Sequence, residues 1–281
     1  MSDGDPQEGD VARDASAGAE GRGLSLRPSR GFVTLVRREI LRYVRRPRNT
    51  FMPPLITNVL YFTVFGVVLG GRIDRVLGVR YILFILPGLV VLGAISNSFE
   101  NASFSVFHGR WNEYIHEALT SPLSYTEMVL AYVAASALRG VLIGVLIAVV
   151  GAFFTAVTVQ HPLYLIAFAG VITTLFAGFG VAGGLWASDF DYLTVMTQFI
   201  LRPLVFFGGV FYSLRDLPDI WATVSLLNPM VYMVNGVRYG FLGPSAVDVG
   251  PNAALAVLTA MAVTVVLADV ELFRRGYGLR E

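Results

Sequence analysis

The chain has 281 residues, 55% hydrophobic and only 15% charged, where an ordinary soluble domain carries about 25% charged residues. Of its 41 charged residues, 17 fall in the first 50, leaving the rest too sparse to clothe a water-facing surface. A soluble single-domain enzyme is excluded, and the bulk of the chain belongs in lipid. With no cysteine there is no disulfide, no thiolate catalysis and no cysteine-based metal site, and a net charge of +1 gives no ground for nucleic-acid binding.

Residues 1–30 scatter Asp3, Asp5, Glu8, Asp10, Asp14 and Glu20 among Gly, Ala, Ser and Pro, which predicts a disordered tail and not a signal peptide. Residues 31–48 read as a basic amphipathic helix at the membrane interface. Phe32, Val36, Ile40 and Val44 form its apolar stripe, Arg38, Arg42, Arg45 and Arg46 lie among anionic headgroups, and Pro47 ends it. Six apolar stretches follow, at 51–71, 80–106, 126–158, 162–187, 193–213 and 252–271. Each is at least about 20 residues, roughly 30 Å as helix, and none alternates as a barrel strand does. The predicted fold is therefore an all-α membrane protein of six transmembrane helices, with a membrane domain over 51–273 and a short tail at 274–281. Ten arginines precede residue 50, and Arg110, Arg274, Arg275 and Arg280 fall on the same side. Only Arg72, Arg75, Arg80, Arg215 and Arg238 face the other. This bias predicts a multi-pass protein of the plasma (inner) membrane with both termini in the cytoplasm.

Between the second and third spans, residues 107–124 put Trp111, Ile115 and Leu119 on one helical face and Arg110, Glu113, His116 and Glu117 on another. A short amphipathic helix of this kind suits docking into a groove of a soluble partner, and equally a plain interfacial connector. His108 and His116 cannot share a face and lack a third ligand, so no metal site is expected. The segment 214–242 is too apolar for an ordinary loop. With Asn228 and Pro229 as a helix start, it predicts a short external helical element that also carries Arg238, either re-entrant into the outer leaflet or a helical hairpin lying flat on the surface.

Three ionisable residues interrupt the spans. At about 1.5 Å per residue, Glu100 lies about 9 Å deep, Arg202 about 14 Å and Arg139 about 20 Å. The depths favour a Glu100–Arg202 pair that locks the bundle. Asn58, Asn97, Asn101 and Gln198 are expected to hydrogen-bond between helices, and Gly178, Gly180, Gly183 and Gly184 to let helices approach closely. Asp189 and Asp191 read as a solvated turn. No GxxxxGK[ST] loop exists, so the chain has no nucleotide site of its own.

The order of these parts resembles the permease subunit of type-2 ABC transporters over about residues 30–275, closest to the compact bacterial and archaeal exporters. The resemblance is carried by RWNEYIHEALTSPLS, ALRGVLIG, RPLVFFGGVFYSLRDLPDIW and LLNPMVYMVNGVRYG. It implies an exporter working by alternating access, with two permease copies forming the pathway as a homodimer. Two soluble ABC ATPase subunits would bind ATP and Mg, and this chain would bind no cofactor. Arg110, Trp111, Glu113, Ile115, Glu117 and Leu119 become candidate coupling contacts. Glu100, Arg139 and Arg202 are the intramembrane polar set, and Asn228, Pro229 and Arg238 belong to the external element. Membrane lipids are the remaining expected partner. An ion-gradient-driven transporter, with Glu100 as coupling acid, is the alternative from a different class, and a membrane enzyme is a weaker one.

Overall fold

The computed structural model describes residues 29–73, 75–115, 120 and 122–278, the side chains of Ile200, Arg202 and Phe206 excepted. The acidic tail over 1–28, the candidate residues Glu117 and Leu119, and Arg280 lie outside the described residues.

Ser29 caps α1 (Arg30–Val44), its hydroxyl accepting from the Phe32 N–H at 3.1 Å. The helix ends before Pro47, which instead opens α2 (Pro47–Tyr61) at its first position, where proline has no hydrogen bond to lose. The buried face of α1 is also not the expected stripe: Leu35, Glu39 and Tyr43 face inward, while Val44 is 46% exposed. Glu39 can lie there because arginines and a serine satisfy its carboxylate.

α2 contains Pro53 and Pro54 and continues from Phe62 to Leu69 with wider, π-type winding. A two-stranded hairpin, Arg75–Val76 with Val79–Arg80, then forms a short connection in the otherwise helical chain. Leu77 and Gly78, at φ 50° and 78°, supply the two positive φ angles that a two-residue hairpin loop needs.

α3 (Tyr81–Trp111), α4 (Tyr125–Phe154) and α5 (Pro162–Trp186) form the centre of the bundle. Ser124 and Glu127 start α4 with a reciprocal capping box. The expected fifth span, 193–213, is split: α6 (Phe190–Val195), a π-wound stretch (Met196–Leu201) and α7 (Arg202–Phe206) give one helical run that ends before Gly208 and Gly209. Pro203 follows the π segment and withholds the amide that would continue regular winding there. After α8 (Asp219–Ser225) and α9 (Pro229–Leu242), which are bent by 85° to each other, α10 (Pro251–Arg275) completes the chain. Among the described residues, five helices are long and apolar enough to cross a membrane, or six if the bent pair is one span.

Leu35, Ile115, Met128, Leu185 and Phe273 share one cluster, which gathers α1, the end of α3, the start of α4 and the ends of α5 and α10 on one side. That side is called proximal below. Tyr81, Val150, Phe168, Val210, Phe241 and Ala254 belong to the larger core, which extends to the opposite, distal side. α3 is the hub, with 67% of its most apolar stretch buried against 11% for α2. Close packing around it depends on glycines. A Cβ on Gly180 would lie 2.5 Å from the Phe99 carbonyl oxygen, and one on Gly184 would lie 2.6 Å from that of Ser103.

Candidate functional site

The polar groups converge at the proximal half of the junction of α1, α3 and α4. Asn101, on α3, is 2% exposed and fully engaged. Its Oδ1 accepts from Arg42 Nη2 on α1 at 3.1 Å and from Arg139 Nη1 on α4 at 3.2 Å. Its Nδ2 donates to Ser136 Oγ at 2.8 Å. Arg139 also donates to Asn97 Oδ1 at 3.2 Å, and Arg42 to the Asn101 backbone carbonyl at 3.1 Å. One turn along, Ser105 donates to Glu39, whose buried carboxylate pairs with Arg38 and Arg42 at 3.1 and 3.2 Å. Bringing charge this deep is tolerable only with such pairing. Outside the spans, burial pushes the Tyr43 phenol above its ordinary pKa, with Arg139 acting in the opposite direction; burial also raises that of Tyr114.

Arg139 and Glu100 face a common cavity of about 530 Å³ between α2, α3, α4 and the α6–α7 run. Asn58, Asn97, Ser96, Thr57 and Thr197 supply amides and hydroxyls to its wall. Asn58 donates to Pro54 O at 2.8 Å, and its buried Oδ1 has no partner among the described residues. Two other cavities, between α4 and α5 and between α5 and α7, are lined almost wholly by apolar side chains. Glu100 and Arg139 border the same cavity with opposite charges. The Glu100–Arg202 pair involves a side chain outside the described residues.

The expected amphipathic helix over 108–119 is interrupted. α3 runs to Trp111, and the chain turns at Asn112 and at Glu113 (φ 62°) before Ile115. Ile115 is 2% exposed and packs in the proximal core, whereas Trp111 is 60% exposed, so they share no free face. Arg110 turns inward: Nη1 donates to the carbonyls of Gly184, Leu185 and Ala187 at 2.9, 2.7 and 3.0 Å, closing the end of α5. Helix ends need such donors. Arg110→Ala should lower stability by about 2–3 kcal/mol, with partial recovery in Arg110→Lys. The thermal midpoint in detergent checks this, and an unchanged midpoint contradicts it. Glu113 remains exposed. Asp189 caps α6, accepting from the Asp191 and Tyr192 amides at 2.9 and 3.1 Å, so the acid pair is a helix start. No group of three metal-binding side chains occurs among the described residues.

On the distal half, Asn228 caps α9 through Met230 N at 3.0 Å and donates to Leu204 O at 2.7 Å, tying the α8–α9 elbow to α7. Pro229 faces Phe176 and Trp186 of α5 across an apolar cavity. Arg238 is fully buried, with its guanidinium carbon 3.9 Å from the centroid of the Phe84 ring and Nη2 donating to Gly209 O at 2.8 Å. Asp248 pairs with Arg215 at 3.2 Å and accepts from Ser213 and Leu214, fastening the loop after α7. The end of α9 reaches the start of α5, where Gln160 and His161 amides donate to Gly240 O at 3.0 and 2.9 Å.

Sequence reasoning identified Asn97 and Asn101 as interhelical donors and acceptors, but missed Glu39, Arg42, Ser105 and Ser136. The signal for Glu39 was its four-residue spacing from Leu35 and Tyr43, with Arg42 three residues on.

Long apolar helices around a polar cavity, with ionisable side chains held in pairs, define a membrane transport protein. The family is established by comparison: the ABC-2 type transporter model matches residues 30–242, and the chain belongs to that family as a multi-pass membrane permease. It is 38% identical over 244 residues to the inner membrane transport permease YadH of Escherichia coli K12, covering 86% of this chain and 94% of that protein. It is 25% identical over 256 residues to nodulation protein J of Rhizobium meliloti strain 1021 (88% and 95%). It is 24% identical over 222 residues to the nodulation protein J of Rhizobium leguminosarum bv. trifolii (79% and 85%).

Proposed function

We propose that two copies of this chain form the pathway of an exporter in the inner membrane, powered by two separate ABC ATPase subunits on the proximal side. The proximal side is the cytoplasmic one, because it carries the arginine excess. The polar cavity between α2, α3, α4 and α6–α7 carries this reading. It is a hydrogen-bonding surface at membrane depth, bordered by the least buried long helix, α2, so a second copy can complete it. Exposed Ile56, Leu60 and Val67 on α2 supply the apolar face for that contact.

The α8–α9 pair is read as a re-entrant element. α5 ends on the proximal side and α10 begins on the distal side, so an odd number of crossings joins them. The α6–α7 run, from Phe190 beside Phe107 to the Phe211 region beside Phe65, supplies one. The bent pair then enters and leaves on the distal side. Energy comes from elsewhere, since the sequence has no phosphate loop. Trp111 and Glu113, beside α1, are among the described residues exposed where an ATPase would press, while Arg110 and Ile115 support them from within.

Because the chain lacks cysteine, single cysteines report cleanly. Ile56→Cys, Leu60→Cys and Val67→Cys are expected to give disulfide-linked dimers in membranes, while Val263→Cys and Leu267→Cys on α10 remain monomeric. Crosslinking confined to α10 would overturn the arrangement.

A further inference from the structure

We propose that Asn101 is a positioning residue that lets the interfacial helix α1 set where the Arg139 guanidinium sits in the cavity. The inference rests on the reading of that cavity as the pathway. Two cations use one amide oxygen: Arg42 of α1 and Arg139 of α4 both donate to Asn101 Oδ1, at 3.1 and 3.2 Å. They are like charges, and they interact electrostatically. Each weakens the other's hold on that oxygen, because repulsion between guanidinium groups grows as they converge.

The competition has a direction because its parts differ in freedom. α3 and α4 are held together next to the joint, where a Cβ on Gly140 would lie 2.7 Å from the Ala94 carbonyl oxygen. Asn101 is itself fixed by its bond to Ser136. What can move is α1, at the membrane interface, and the Arg139 side chain, which borders the cavity. With α1 docked, as here, Arg42 shares Oδ1 and weakens its hold on Arg139, which is bonded to Asn101 and Asn97 but freer to turn into the cavity. With α1 withdrawn, Arg139 has Oδ1 to itself and is held there more firmly. Glu39 keeps Arg42 in register from below, at 3.2 Å. A displacement of α1 by an ATPase thus changes the electrostatic potential of the pathway without moving α3 or α4.

The test measures charge in the cavity. Ser96→Cys, half-buried on the cavity wall of a chain with no other cysteine, is reacted in membranes with an anionic and a cationic methanethiosulfonate, and the ratio of the two rates is taken. Arg139→Gln should lower the anionic-to-cationic ratio at least about threefold, a modest share of what one unit charge a few ångströms away produces. Arg42→Ala should lower it toward the Arg139→Gln value, and Arg42→Lys should give an intermediate ratio. In an Asn101→Ala background, Arg42→Ala should have a much smaller effect, because the oxygen the two arginines share is gone. A ratio insensitive to Arg42 while it responds to Arg139 overturns the proposal, as does a ratio insensitive to Arg139 or a cysteine that does not react. In the complex with the ATPase, a non-hydrolysable ATP analogue should shift the ratio. If Arg42 governs the ratio but the nucleotide does not, the joint stands and the ATP-driven reading of the cavity falls.

Discussion

Glu39→Ala is expected to destabilise the protein by about 3 kcal/mol, toward the lower end of the range for breaking a buried ion pair. The carboxylate is 3% exposed and holds Arg38 at 3.1 Å, Arg42 at 3.2 Å and the Ser105 hydroxyl. Removing it leaves Arg42 and Arg139 converging on one amide oxygen without their counter-charge. The lower end applies because the Arg38 and Arg42 side chains are 44% and 37% exposed, so solvent screens part of the interaction. Glu39→Ala combined with Arg42→Ala should recover part of the loss, since the stranded cation goes with its partner. Unfolding midpoints of the four members of this cycle in detergent measure both effects. A Glu39→Ala protein of wild-type stability would show that the carboxylate does not support the junction.

Gly180→Ala should cost at least as much, about 3 kcal/mol. The new methyl would sit 2.5 Å from the Phe99 carbonyl oxygen and 2.8 Å from the Ala102 Cβ, against a helix backbone that has no rotamer by which to give way. α3 and α5 would have to separate, and the seam continues one turn on, at Gly184 against Ser103. Gly170→Ala on the same helix is the control, because nothing lies within 4 Å of its Cβ position. There the exchange should be neutral or slightly stabilising. Equal effects at the two positions would contradict the close-packed seam.

The features legible in the sequence were those that lipid imposes locally. Uninterrupted apolar length marked five long helices, and Asn228–Pro229 marked the start of α9 because a cap and a first-turn proline act within a few residues. The broken run at 190–206 was harder, since its apolar composition continues through residues where Gly208 and Gly209 end the helix. The candidate site was legible in part. Asn97, Asn101, Glu100 and Arg139 stood out as polar groups in lipid, but which cation meets which acceptor depends on side-chain reach and helix rotation. Glu39 was hidden for a related reason: an acid flanked by arginines on an amphipathic helix resembles the solvent face until a neighbouring helix covers it. Arg110 looked like part of an exposed polar face, and is instead the cap of a helix 74 residues further along.

The proposed transport cycle turns on coupling to a separate ATPase through the proximal surface. The most direct measurement is the ATP hydrolysis rate of the proposed ABC ATPase partner, compared in lipid vesicles with and without the permease. A rate several-fold higher is expected with the permease present, and a reduced gain when the permease carries Glu113→Ala. An identical rate in both vesicle preparations, with transport by the permease alone persisting without nucleotide and following an ion gradient, would contradict it.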